Sequence, residues 1–189
     1  MDRERKDMLE ILFDFEGEIL LFIQKYIRNS VLNPIITFIT SLGDEGRIWI
    51  GATLGLLMFK KTRKIGIMSA VALFSSLFIN NLIIKNVVAR PRPYTAVKNL
   101  SILIPRPSDY SFPSGHTASS FAAATVFFRN LPKKWGTLAI VLAGLIGFSR
   151  MYLGVHYPTD VLAGATIGVL LARMAEYIVK KECDSAKKE

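Results

Sequence analysis

Apolar residues in this chain gather into long runs, and the polar residues between the runs are mostly Lys and Arg. Five runs, at about 45–59, 65–86, 114–129, 135–152 and 158–179, predict helices that cross a membrane. A full crossing needs roughly 20 residues. The stretch at 45–59 is short but uncharged after Arg47, and 114–129 is weaker and rich in Gly, Ala and Ser. Small residues suit close helix–helix packing, and Ala143-Gly144 and Ala163-Gly164-Ala165 point the same way.

Upstream, residues 1–10 are charged and lack the apolar core and cleavage site of a signal peptide. Residues 9–29 are apolar but carry Glu10, Asp14, Glu16, Glu18, Lys25 and Arg28. So many carboxylates are costly in hydrocarbon, so this stretch is expected to be an amphipathic helix at the interface. A second short helix is expected at about 31–42, with Asn33-Pro34 near its start. The fold class that follows is all-α: an integral membrane bundle of about five transmembrane helices plus N-terminal amphipathic interfacial helices. Its expected divisions are N-terminal helices at 1–43, a membrane domain at 44–180 and a polar tail at 181–189. A soluble all-α core would have to cover three long apolar runs.

Composition narrows the chemistry. The chain has 189 residues and is 51% hydrophobic, so disorder is excluded. The single cysteine, Cys183, excludes an intrachain disulfide framework, and two histidines, His116 and His156, leave little for a polyhistidine metal centre. A net charge of +9 favours anionic partners. Seven of the fifteen acidic residues precede position 19, and between Arg47 and Ala175 only Asp109 and Asp160 occur. The basic clusters punctuate apolar segments instead of covering helix faces, which argues against nucleic acid and for a bilayer.

Loop charge sets the expected topology. With five crossings, the basic loops at 60–64 and 129–134 and the tail from Lys180 share one side, which is then cytoplasmic. The 85–113 and 150–157 segments fall outside. The outer loop is nevertheless basic, with Lys85, Arg90, Arg92, Lys98 and Arg106, and anion binding is the simplest reason. Its prolines favour extended turns, and loops of that length tend to be functional.

Three clusters lie at span ends on that outer side: Lys85–Pro93, Pro113-Ser114-Gly115-His116, and Ser149–Asp160. Pro158 suits the first turn of a helix, which puts His156 just before it and Asp160 within it. A carboxylate four residues after a histidine can accept its Nδ1–H and leave Nε2 as a nucleophile. Ser114 and Gly115 open another helix, whose amides suit an anion. Lys85, Arg92 and Arg150 can close on the same oxyanion, and His116 can protonate a leaving oxygen. Taken singly, each feature has a structural reading: an interfacial histidine, a loop turn, a snorkelling lysine, a packing Ser-Gly pair. One structural reading does not account for all of them at one face.

At these residues the chain resembles the type 2 phosphatidic acid phosphatase superfamily, which includes vanadium haloperoxidases. The signature is a Lys, six residues, Arg-Pro; then Pro-Ser-Gly-His; then Ser-Arg, five residues, His, three residues, Asp. Lys85…Arg92-Pro93, Pro113-Ser114-Gly115-His116 and Ser149-Arg150…His156…Asp160 match it at every position and in order. The resemblance implies that Lys85, Arg92, Ser114, Gly115 and Arg150 bind phosphate. It further implies that His156 forms a phosphohistidine, Asp160 orients His156 and His116 protonates the leaving group. No metal and no cofactor is implied. Arg90, Arg106 and Tyr94 lie outside the signature and are expected to help with a headgroup.

The short chain resembles the small bacterial members, including undecaprenyl-diphosphate and phosphatidylglycerophosphate phosphatases. The expectation is a multi-pass plasma-membrane phosphatase, its site facing outward, that hydrolyses a lipid diphosphate or phosphate monoester. Undecaprenyl diphosphate is favoured. Phosphatidylglycerophosphate or phosphatidic acid is the alternative, and a phosphotransferase or a vanadate-dependent haloperoxidase stands further off. Lipid entry is expected between the third and fifth spans, because both start at the site.

Overall fold

The computed structural model describes residues 2–185, and every regular element among them is helical. Helix α1 (Asp2–Phe22) runs on through a π-helical turn, Ile23–Ile27. The chain then becomes extended at Arg28, and the Asn29 side chain accepts from the amides of Val31 and Leu32 to open α2 (Leu32–Leu42). A tight turn over Gly43–Gly46 follows, with Glu45 and Gly46 both at positive φ, and leads into α3 (Arg47–Met58).

Helix α4 (Arg63–Ser76) continues without a break through a π-helical segment, Leu77–Ile84, and a final turn, α5 (Lys85–Val88). π segments inside α-helices frequently mark functional sites. This one adds a residue to the turn and so re-aims Lys85, which follows it. Pro93 starts the short α6 (Pro93–Ala96). The remaining helices are α7 (Gly115–Asn130), α8 (Lys133–Tyr152) and α9 (Pro158–Ser185). The last four residues of the polar tail expected at 181–189 lie outside the described residues.

Three helical stretches are long and apolar enough to cross a membrane: Arg63–Ala96, Lys133–Tyr152 and Pro158–Glu182. Helix α7 has 16 residues and sits at the centre, packed on α4, α8 and α9. Its Ala118, Ala122, Ala123, Ala124 and Val126 are buried. Its weak hydropathy has this cause: it faces protein, where small side chains let backbones approach, not lipid. The outer helices turn large apolar side chains such as Phe74, Leu138, Leu162 and Leu170 outward. Two pairs of polar groups meet inside the bundle: the Trp49 indole donates to Ser120 Oγ at 2.8 Å, and the Thr53 and Ser69 hydroxyls meet at 2.7 Å.

The expected lipid gap between the third and fifth spans is absent, because α7 and α9 are in backbone contact. A Cβ on Gly168 would lie 2.5 Å from the Ala118 carbonyl oxygen, and one on Gly164 would lie 2.7 Å from that of Ser114. Those glycines close the seam. The opening lies instead between α3 and α4. These helices meet where Leu57 covers Gly66 and spread apart toward the end that carries Lys85. At the opposite end, Phe59, Lys60 and Lys61 gather with Leu131 and Trp135.

Gly168→Ala is expected to lower the melting temperature in detergent, through an overpacking cost of about 1–3 kcal/mol. Gly144→Ala, whose added methyl meets nothing within 4 Å, is expected not to. Thermal unfolding followed by size-exclusion fluorescence compares them. Equal melting temperatures would mean that the α7–α9 seam is not tight.

Candidate active site

Each expected site residue sits where a helix begins or ends. Lys85 follows the π segment, and Arg92 immediately precedes α6. Ser114 is the N-cap of α7; its Oγ accepts from the Thr117 amide and hydroxyl, which leaves its own O–H free to donate. Gly115 and His116 form the first turn of α7, and Arg150 lies in the last turn of α8. The chain turns at Gly154, where φ is +76° and a Cβ would lie 2.9 Å from the Ser101 carbonyl oxygen. His156 then precedes Pro158, the first residue of α9, and Asp160 falls in its first turn.

Six of the eight line one cavity of about 760 Å³: Lys85, Arg92, Gly115, His116, Arg150 and His156. Ser114 and Asp160 are fully buried and lie behind its wall. The far end of the cavity is apolar, formed by Ile50, Leu54, Leu57, Leu73, Phe74 and Leu77 from α3, α4 and the π segment. Most of these are also exposed on the outer surface, so the cavity opens sideways through the α3–α4 cleft.

The cations are held by specific partners. Arg92 Nη1 donates to the Val155 carbonyl at 2.7 Å and lies 3.2 Å from His156 Nε2. A guanidinium only donates, so Nε2 is the acceptor and the ring proton sits on Nδ1. Nδ1 lies 3.4 Å from Asp160 Oδ2, a long contact of the kind that tightens when substrate binds. Arg150 donates from Nη1 to Thr40 Oγ1 at 2.8 Å, and its buried Nε has no hydrogen-bond partner among the described residues.

Asp109 answers two of the three charges. Its carboxylate pairs with Lys85 Nζ and with Arg92 Nη2, while its carbonyl accepts from Arg92 Nε. Burial would raise the Asp109 carboxyl, but the Lys85 hydrogen bond and the Lys85 and Arg92 charges outweigh it and hold it at about 2. Asp109 therefore occupies, as a carboxylate, the place where a substrate anion would meet those cations. Burial pushes the His156 imidazole down to about 3; Asp160 opposes this, and the Arg92 and Arg150 charges reinforce it. His156 is neutral at ordinary pH, as a nitrogen nucleophile must be.

Several neighbours were not legible as site residues. Asp44, in the tight turn before α3, places Oδ1 2.9 Å from His116 Nε2. Thr40 of α2 holds Arg150, and Ser111 donates its hydroxyl to Asp160 Oδ2. The headgroup role expected for Arg90 is wrong: Arg90 is buried behind Asp160 and points away from the cavity, to Glu16 of α1. Tyr94 donates to the Pro107 carbonyl and carries Arg106 over its ring, so these two brace the 97–113 loop. One signal for Asp109 was available, since it and Asp160 are the only acidic residues between Arg47 and Ala175. Among the described residues, no group of three or more His, Cys, Asp or Glu comes together as a metal cage.

Comparison with known proteins gives one consistent result. A family model described as the PAP2 superfamily matches residues 66–183. An undecaprenyl-diphosphatase from Sulfolobus acidocaldarius is 38% identical over 143 residues, 76% of this chain and 68% of that protein. The undecaprenyl-diphosphatase BcrC of Bacillus subtilis is 35% identical over 144 residues, 76% of this chain and 72% of that one. A crystal structure of a transmembrane PAP2-type phosphatidylglycerolphosphate phosphatase from Bacillus subtilis superposes with a TM-score of 0.72 at 27% identity. That match covers 92% of this chain and 87% of the other.

The buried neutral imidazole has a stability consequence. An unfolded imidazole titrates near 6.5, so the advantage of folding with His156 at about 3 is complete above about 6.5 and is lost as pH falls toward 3. At pH 5 this one residue accounts for about 2 kcal/mol. Between pH 7 and pH 5 the wild type is expected to lose more melting temperature than His156→Gln. Parallel losses in the two proteins would contradict the buried, neutral assignment.

Proposed function

The chain belongs to the PAP2 superfamily and is a membrane lipid phosphatase, and from that premise we propose that it cleaves a polyprenyl diphosphate through a phosphohistidine. The observation that carries the reading is the shape of the cavity. Three cations and two imidazoles at one end run directly into an apolar cleft that opens sideways. A headgroup with phosphate and a single long tail fits such a space, with the remainder of the tail left in the bilayer. The two relatives named as undecaprenyl-diphosphatases support undecaprenyl diphosphate as the substrate.

The chemistry follows in two halves. Lys85, Arg92 and Arg150, with the Ser114 hydroxyl and the Gly115 amide, take the charge of the terminal phosphate. The cations supply preorganised stabilisation as charge moves onto the leaving oxygen. The lone pair on His156 Nε2 forms a bond to phosphorus while the bond to the bridging oxygen breaks. Burial and the Arg150 charge hold the His116 imidazole down to about 4, against Asp44. The substrate's negative charge raises it, and His116, protonated in the complex, gives its proton to the bridging oxygen as the lipid monophosphate leaves. Water then attacks phosphorus and returns a proton to His116. The N–P bond breaks, its electron pair returns to His156 and phosphate departs. Asp160 holds the Nδ1 proton and balances the positive ring of the intermediate.

Our reading has the cavity end facing the extracytoplasmic side of the plasma membrane; the basic loops at 60–64 and 129–134, at the other end of the bundle, support it. An outward site suits recycling of a carrier lipid that is released there as its diphosphate.

Purified protein in detergent with EDTA is expected to release phosphate from undecaprenyl diphosphate, with His156→Ala at the background rate. Equal release by the two proteins would refute the phosphohistidine. If the folded wild type acted on phosphatidylglycerophosphate instead, the family chemistry would stand and the substrate would change. Product phosphate found esterified to an added alcohol would mark a transferase.

Orientation has its own check. Alkaline phosphatase fused after Ser108 is expected to be active, and fused after Lys61 inactive. The reverse pattern would sink the outward placement.

A further inference from the structure

Glu16 is the anomaly of the N-terminal helix. Asp14 and Glu18 on either side of it are exposed, whereas Glu16 is 1% exposed. Its Oε1 accepts from the Thr159 amide at 2.8 Å and the Thr159 hydroxyl at 2.7 Å, and its Oε2 accepts from Arg90 Nη2 at 2.6 Å. Arg90 Nη1 in turn donates to Asp160 Oδ1 at 2.7 Å and to the Thr159 hydroxyl at 2.8 Å. The guanidinium lies over the Tyr157 ring at 3.9 Å, and the Phe13 ring of α1, 6.2 Å from that of Tyr157, is 4.7 Å from it. None of these groups except the far face of Asp160 is turned toward the cavity residues, so Arg90 is not a phosphate ligand.

We propose that Arg90 and Glu16 are positioning residues for the Asp160–His156 pair, an inference that rests on the phosphohistidine reading above. Two functions follow from the geometry. First, Asp160 has four lone-pair sites, and Arg90 Nη1 takes one on Oδ1. This fixes the carboxylate plane so that Oδ2, already anchored by Ser111 and the Tyr157 amide, faces His156 Nδ1. Arg90 itself cannot turn, because Glu16 holds the other arm of its fork.

Second, the charge count matters. Arg90 paired with Asp160 alone would be a neutral unit beside His156. Asp160 would then do little for the positive ring that forms when Nε2 bonds to phosphorus. Glu16 supplies a second carboxylate, so the buried cluster of Glu16, Arg90 and Asp160 carries a net charge of −1. That charge lies on the Nδ1 side of the ring, opposite the Arg92 cation beside Nε2, and offsets that cation's repulsion of the imidazole when it becomes cationic. In a buried site, a fixed charge of this kind favours the intermediate over the resting state.

The test uses the full chain in detergent, with steady-state kinetics on whichever of undecaprenyl diphosphate and phosphatidylglycerophosphate the wild type hydrolyses. Arg90→Gln is expected to lower kcat about 10- to 100-fold, the range that outer partners of a functional histidine carry, with KM and orthovanadate affinity nearly unchanged. Arg90→Lys is expected to recover part of the loss. Glu16→Gln, an isosteric change, is expected to lower kcat about 10-fold, and the double variant to be no worse than Arg90→Gln, because Glu16 acts through Arg90. If Arg90→Gln does not fold, Arg90→Lys and Glu16→Gln carry the test. Wild-type kcat in both of these folded variants would overturn the proposal. Additive losses, or a fall in vanadate affinity that matches the fall in kcat, would overturn it as well. A wild type inert on both lipids would instead remove the functional reading and this inference with it.

Discussion

Asp160 is a carboxylate with no exposure to solvent, in the first turn of a helix that enters a membrane domain. A charge so placed is tolerable only if nearly every lone pair finds a donor. The fold supplies them from widely separated stretches of chain. Arg90 reaches Oδ1; the Ser111 hydroxyl and the Tyr157 amide reach Oδ2; the Ser114 amide donates to the Asp160 carbonyl. These donors come from each of the three segments whose sequence carries the signature. Satisfying this one residue, its carboxylate through Arg90, Ser111 and Tyr157 and its main-chain carbonyl through Ser114, is therefore also what brings the three segments to one point. It fixes the start of α7 against the start of α9, and the backbone contact at Gly164 and Gly168 continues that seam into the bundle.

The N-terminal helices take part in this scheme. Glu16, Thr40 and Asp44 are contributed by α1, α2 and the turn that follows, and each meets a different site residue: Arg90, Arg150 and His116. Arg28 donates to the Tyr152 carbonyl and, with Gln24, ties α1 to Ser101 of the outer loop. Hydrogen bonds to charged groups are worth more than neutral ones. These contacts add to an apolar cluster, in which Ile23 and Ile36 pack with Tyr152, Leu153 and Val155, in holding the N-terminal helices to the site end of the bundle.

Much of the fold was legible because bilayer-facing helices announce themselves by length and hydropathy, and helix starts by Pro158 and the Ser114 cap. The candidate site was legible because its residues sit at fixed spacings on three segments. What could not be read is the supporting layer. Asp44, Thr40 and Ser111 are ordinary residues until folding sets them beside His116, Arg150 and Asp160. Arg90 was visible but misassigned, since sequence gives no direction for a side chain two positions from Arg92. The lipid opening was misplaced for a related reason: small residues at the starts of α7 and α9 signal a tight seam as readily as a gap, and only the backbone contact at Gly168 distinguishes them.

The cavity joins two demands that oppose one another. Phosphate needs cations, and cations brought together repel unless an anion lies among them. Apolar tails need a dry wall, which raises the cost of every unpaired charge beside it. The resting site reconciles these by lending Asp109 to Lys85 and Arg92, on a loop that Tyr94 and Arg106 brace from behind. A substrate phosphate arriving through the α3–α4 cleft brings the same charge to the same two cations and must compete with that carboxylate. Arg150 is the one of the three cations that Asp109 does not pair with, and its buried Nε has no hydrogen-bond partner among the described residues. In the proposed reading, this third cation gives the phosphate a partner that the resident carboxylate lacks, and so lets a lipid headgroup displace it.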